Sequence, residues 1–152
     1  MPNKEFRLAE RIDAIEDAYE FMLAYAAQGK QGSEGGACDE VRGFLKRAID
    51  ALEGFAGGCR AAIDCDDAAA EALEAFLVIV ESDVEKARAA LRLALAQPLI
   101  GSQLIDNLNA SIHLRTLLTD LFLLDSVVPQ LNGTGDAAAV VAAQQAGLAG
   151  LA

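Results

Sequence analysis

The sequence predicts an all-α chain: an antiparallel four-helix bundle over residues 1–129, followed by an apolar Ala/Gly-rich tail over 130–152. Three observations carry this. Apolar residues recur at helical spacing through four long stretches. The breaks between those stretches fall at glycine or proline. No stretch alternates apolar and polar residues as a strand does, and no repeat returns at a fixed period. Most connections are short, which sets consecutive helices side by side in opposite directions.

The first helix is expected over 4–28, with Leu8, Ile12, Ile15, Tyr19, Met22 and Ala26 as its seam and Gly29 as its stop. Residues 29–37, GKQGSEGGA, read as a flexible connection. They lack the GxxxxGK[ST] pattern and follow no strand, so they are not a phosphate-binding loop. The second helix is expected over 38–56, with Val41, Leu45, Ala48, Leu52 and Phe55 inside and Gly57-Gly58 as its end. CRAAIDCDD follows as a short link, where Asp64, Asp66 and Asp67 can cap the next helix. The third helix is expected over 67–96, and Leu73, Leu77, Val80, Val84, Ala87, Leu91 and Ala94 keep heptad spacing throughout it. Pro98 marks its break.

Residues 99–128 read as the fourth and central helix, ended by Pro129. Ala110, Leu114, Leu117, Leu121, Leu124 and Val128 form its main seam. Leu104, Leu108, Leu118 and Phe122 widen that seam, while Asp106, Asn109, His113, Thr116 and Asp120 form a narrow polar stripe. A helix apolar over most of its circumference needs neighbours on several sides. The chain is therefore expected to form a homodimer or higher assembly, with Leu118 and Phe122 as interface anchors. In the tail only Asp136 is charged, and the tail is expected either to be mobile or to form a helix over 136–146 that docks on the bundle or on another subunit.

Composition narrows the function. The formal net charge is −11, from 12 Lys+Arg against 23 Asp+Glu. Nucleic acids and anionic membranes are thus not expected partners, because both are bound through cations. The three cysteines, Cys38, Cys59 and Cys65, form no CxxC. MPNKEFRLAER has no apolar core to serve as a signal peptide, so the expectation is a cytoplasmic protein with free thiols. Cys59 and Cys65, six residues apart, could also act as a redox pair.

Three constellations could carry chemistry. A di-iron site needs two Glu-x-x-His pairs, and the chain has one histidine, with Ala110 three residues before it. The second constellation is acidic: Glu16, Asp17 and Glu20 on the first helix, Asp50 and Glu53 on the second. This resembles the E-E-x-x-E and E-x-x-D pattern of the all-α nucleotide pyrophosphohydrolases of the MazG type, with the second half reversed. The resemblance implies carboxylates that hold Mg²⁺ against substrate phosphates. A solvated charged face is the plainer reading. The third is Ser111-Ile-His-Leu-Arg-Thr-Leu-Leu-Thr119, which resembles the phospho-acceptor box S-H-E-L-R-T-P-L-T of sensor histidine kinases. Ile112 stands at the family's histidine, His113 at its acidic residue and Leu117 at its proline. The resemblance implies signal relay or small-ligand binding through His113. The sequence reading taken is none of these: a non-enzymatic, acidic helical bundle that assembles with itself and binds another protein, without cofactor.

Overall fold

The computed structural model describes residues 7–32 and 35–132. These form six helices and no strand: α1 Leu8–Ala27, α2 Gly35–Leu52, α3 Phe55–Ala62, α4 Asp67–Leu95, α5 Ser102–Ala110 and α6 Ile112–Asn132. The all-helical expectation holds. The number and bounds of the helices differ from it at four places, each for a local reason.

Gly54 takes a left-handed backbone (φ 63°) that ends α2. Only glycine adopts this conformation without strain. The chain then coils again at once, so Gly57 and Gly58 lie inside α3 rather than ending a helix. Phe55, Ala56 and Cys59 turn the buried face of α3 inward. Arg60 pins it to α4, donating from Nε to both Glu74 carboxylate oxygens at 2.9 Å and standing 3.5 Å from Glu81.

The second difference is the loop after α1. Residues 29–32 are packed against Ile100–Ser102, where a flexible connection was expected. The Ser102 amide donates to the Lys30 carbonyl, and the Ser102 hydroxyl donates to the Tyr25 carbonyl while accepting from the Lys30 amide. The Tyr25 hydroxyl donates to the Ile100 carbonyl. Gly32 (φ 90°) lies so close that a Cβ there would stand 2.9 Å from the Ile100 nitrogen.

Thirdly, the expected 99–128 helix is two helices. Ser111 (φ −58°, ψ 130°) leaves the helical region, and its hydroxyl accepts from the His113 amide at 3.3 Å, starting α6. The break changes the phase of the buried face. Before it, Ser102, Ile105, Leu108 and Asn109 are inside; after it, Leu114, Leu117, Leu118, Leu121 and Leu124 are. Ala110, expected on the seam, is exposed. Lastly, α6 runs through Pro129 to Asn132, although the proline supplies no amide to the Asp125 carbonyl. The expected boundary at 129/130 therefore falls within a helix. Residues 133–152, including the helix expected over 136–146, lie outside the described residues.

The third expected helix is the observed α4, its start capped by Asp66, whose carboxylate accepts from the Ala69 amide. All seven residues of its heptad seam are buried. Its far end is closed from another helix: Arg42 of α2 donates to the carbonyls of Leu95, Gln97 and Pro98 at 2.9, 2.7 and 3.2 Å. A planar guanidinium can satisfy several orphan helix carbonyls at once. One continuous core joins the helices, with α1 on α2 and α5, and α4 on α2, α3 and α6. Phe21 of α1 stacks on Phe44 of α2 at 4.2 Å, beneath the Arg47 guanidinium. No helix among the described residues is long and apolar enough to cross a membrane.

Candidate interaction surface

The N-terminal turns of α4 meet the C-terminal turns of α6 along a groove of about 360 Å³. Ala72, Leu73 and Phe76 line one wall, and Leu123, Val127 and Leu131 the other. The helix period places these sets on facing stripes at intervals of three and four residues. Leu123 is half exposed, so the groove opens to solvent. The same stripes continue to Asp83, seven residues beyond Phe76, and to Asp120, three before Leu123. Aspartates thus stand at one end of an apolar groove.

Asp120 is 8% exposed, and its Oδ2 has no hydrogen-bond partner among the described groups when both carboxyls are ionised. Burial, then Asp83 as hydrogen-bond partner and as a like charge, pushes the Asp120 carboxyl up to about 7. Two carboxyls at one seam resolve the repulsion by sharing a proton, one donating to the other. Near neutral pH the pair therefore gains or loses a proton readily.

A larger opening, about 580 Å³, lies between the end of α4 and α5, lined by Ala90, Leu93, Ala94, Leu104 and Leu108 among others. Leu93, Leu99 and Ile112 are exposed large apolar side chains in this part of the chain. The expected interface anchors separate. Leu118 is 5% exposed and belongs to the core of a single chain, so it cannot anchor a partner; Phe122 is 55% exposed and can.

The polar stripe is also divided. Asp106 and His113 are exposed, Thr116 is half-buried, and Asn109 and Asp120 are buried. Asn109 is 6% exposed, with neither end of its amide paired among the described groups. The break at Ser111 is the cause, since it rotates Asn109 inward relative to an unbroken helix. His113, expected mid-helix, is the second residue of α6.

The five carboxylates of the pyrophosphohydrolase-like pattern do not assemble. Among the described residues, no group of three or more His, Cys, Asp or Glu side chains could hold a metal ion. Asp17, Glu20, Asp50 and Glu53 are exposed. Glu16 is half-buried, and its carboxyl is raised by burial, then by Asp125 of α6, Asp13, Asp17 and Glu20. Its neighbours are thus further carboxylates on α1 and α6, with none from the second helix. Cys59 is buried in α3, which pushes its thiol up to about 12, and Cys65 is half-buried; both are free. The side chain of Cys38 lies outside those described.

No family model, no curated protein and no solved structure matches this chain. The reading of its surface therefore rests on its own residues. Asp120 stands out in the sequence as part of the polar stripe, while its partner Asp83 does not. A signal for Asp83 was present: it sits on the apolar side of its helix, near Val80 and Val84, with Ile79 and Ala87 four residues away on either side.

Proposed function

We propose that the protein is a non-enzymatic interaction module: an acidic, antiparallel four-helix bundle elaborated by the short helices α3 and α5, which assembles with its own copies and binds another protein. One observation carries the reading. Two openings on the described surface, of about 580 and 360 Å³, are apolar seams between helices with exposed apolar side chains near them, while a third, of about 490 Å³ beside Lys30 and Asp106, is polar. Contiguous exposed apolar surface marks interaction sites in soluble proteins. The bundle arrangement is supported by two contacts. The end of α1 meets the start of α5 through Tyr25 and Ser102, and the start of α4 meets the end of α6.

Light scattering on the full chain tests this reading, alongside a screen for nucleoside triphosphate hydrolysis with millimolar Mg²⁺. The expected result is a mass above the 15.9 kDa of one chain at micromolar concentration, without hydrolysis. A 15.9 kDa species would remove the self-assembly half. Turnover of nucleotide that is lost in Glu16→Gln would replace the whole reading with the hydrolase.

A further inference from the structure

We infer that the groove between α4 and α6 is the docking site for a basic amphipathic helix of a partner protein, its apolar stripe on Ala72, Phe76, Leu123 and Val127 and a lysine or arginine on the Asp83–Asp120 pair. The inference rests on the interaction reading above and adds to it the surface and the chemistry of the partner.

Shape is the first argument. An open apolar seam between two parallel-running ridges is the receptor form for a helix, whose side chains at i, i+3, i+4 and i+7 enter it. From Ala69, which also lines the groove, to Asp83 is fourteen residues of α4. At 1.5 Å per residue that is about 21 Å, or four turns of a partner helix.

Charge is the second. From residue 61 to 85 the chain carries eight acidic residues (Asp64, Asp66, Asp67, Glu71, Glu74, Glu81, Asp83 and Glu85) and no lysine or arginine. From 116 to 132 it carries Asp120 and Asp125 and again no cation. Glu74 and Glu81 are engaged by Arg60. On the groove stripe itself the charged groups are Asp83 and Asp120, and the nearest cation along α4 is Lys86, three residues past Asp83. Asp120 is buried and has Asp83 as its hydrogen-bond partner, while Asp83 itself is half-buried at the groove end. An incoming ammonium or guanidinium meets the half-buried Asp83 and cancels the repulsion within the pair.

The same charges select among occupants. A second copy seated here would bring another acidic chain, net −11, against the acid pair, which like-charge juxtaposition opposes. Phe122, the anchor for self-assembly, projects about 100° around α6 from Leu123. Self-assembly through Phe122 therefore leaves the groove open to a different chain.

Calorimetric titration of the full chain tests the site. The probes are three synthetic peptides of about fourteen residues: Leu and Lys with leucines at three- and four-residue spacing, the same composition scrambled, and the patterned peptide with Glu for Lys. The patterned basic peptide is expected to bind at least about tenfold more tightly than either control. Leu123→Ser should weaken it about tenfold. Asp83→Asn combined with Asp120→Asn should do the same and flatten its salt dependence. Circular dichroism confirms that each variant remains helical.

Equal binding of patterned and scrambled basic peptides would mean attraction to net charge alone and would overturn the site. Binding of none of the three overturns it too, whether the groove is unused or already filled by residues 133–152. A chain mass that doubles, falls back in Leu123→Ser and excludes the peptide would assign the groove to a second copy. Loss of peptide binding while light scattering still reports assembly sinks this site alone. A monomer that binds no peptide removes the interaction reading as well.

Discussion

Asp120 shows what one buried side chain sets for the whole chain. Its carboxyl titrates near 7 in the fold, against about 3.9 when unfolded. The folded pKa is the higher one, so folding favours the protonated form. The destabilisation is absent below about pH 4, grows as pH rises toward 7 and is complete above that. Urea midpoints should therefore fall between about pH 4 and pH 7. Asp120→Asn should flatten that slope and raise stability at about pH 8 by roughly 1 kcal/mol, discounted for solvent near the seam. A wild-type profile flat over the same range would contradict the shared proton. Glu16 is raised for related reasons, burial first and then repulsion from Asp125, Asp13, Asp17 and Glu20, at a more exposed site. Glu16→Gln with Glu20→Gln should leave stability within about 0.5 kcal/mol or raise it slightly. Magnesium should produce no saturable rise in melting temperature that this double variant abolishes. His113 has an exposed side chain, and it bonds the Ser111 hydroxyl through its amide, not its ring. His113→Gln should cost less than about 1 kcal/mol. Intact mass after incubation with acetyl phosphate should be unchanged; an acid-labile added phosphate absent from the variant would restore the kinase-like reading.

The α1–α2 loop and the Ser111 break are where single residues decide the path of whole helices. Both act through backbone rather than core volume. Gly32 holds φ 90° against the Ile100 backbone with no room for a Cβ, so Gly32→Ala adds strain and a clash together. It should destabilise by about 1–3 kcal/mol. Gly29 (φ 66°) faces open space, so Gly29→Ala meets only the conformational term and should cost about 1 kcal/mol. Thermal melts of the two variants separate packing from conformation, and equal losses would show that the Ile100 contact does not constrain the loop. These elements also show where sequence reading stops. The heptad of α4 was legible because seven apolar positions keep one phase through 29 residues and Asp66 caps the start. The α5–α6 break was not, because Asn-Ala-Ser carries no proline or glycine and apolar spacing continues across it. Ser111 as a cap was the available signal, masked by the helix-forming residues around it.

At the scale of the molecule, apolar side chains that face solvent set the expected behaviour. Of Phe122 and Leu118, Phe122 is the exposed one. Phe122→Ser should therefore lower the light-scattering mass of the assembled chain without destabilising its core, whereas Leu118→Ser should unfold the chain by about 2–4 kcal/mol. A mass unchanged by Phe122→Ser would move self-assembly to another face, such as the opening near Leu93 and Leu99. The sequence by itself determined the helical class, the acidity and most of the inward positions, because each follows from periodicity or composition along one segment. Only the tertiary structure decided that Leu118 is interior and Phe122 exterior, that Arg42 closes the end of α4, and that the pyrophosphohydrolase-like carboxylates stay apart. It also decided that Asp83 meets Asp120 at the end of an apolar groove. Each of these depends on how two elements far apart in sequence are rotated against each other, and a one-dimensional pattern holds no record of that angle.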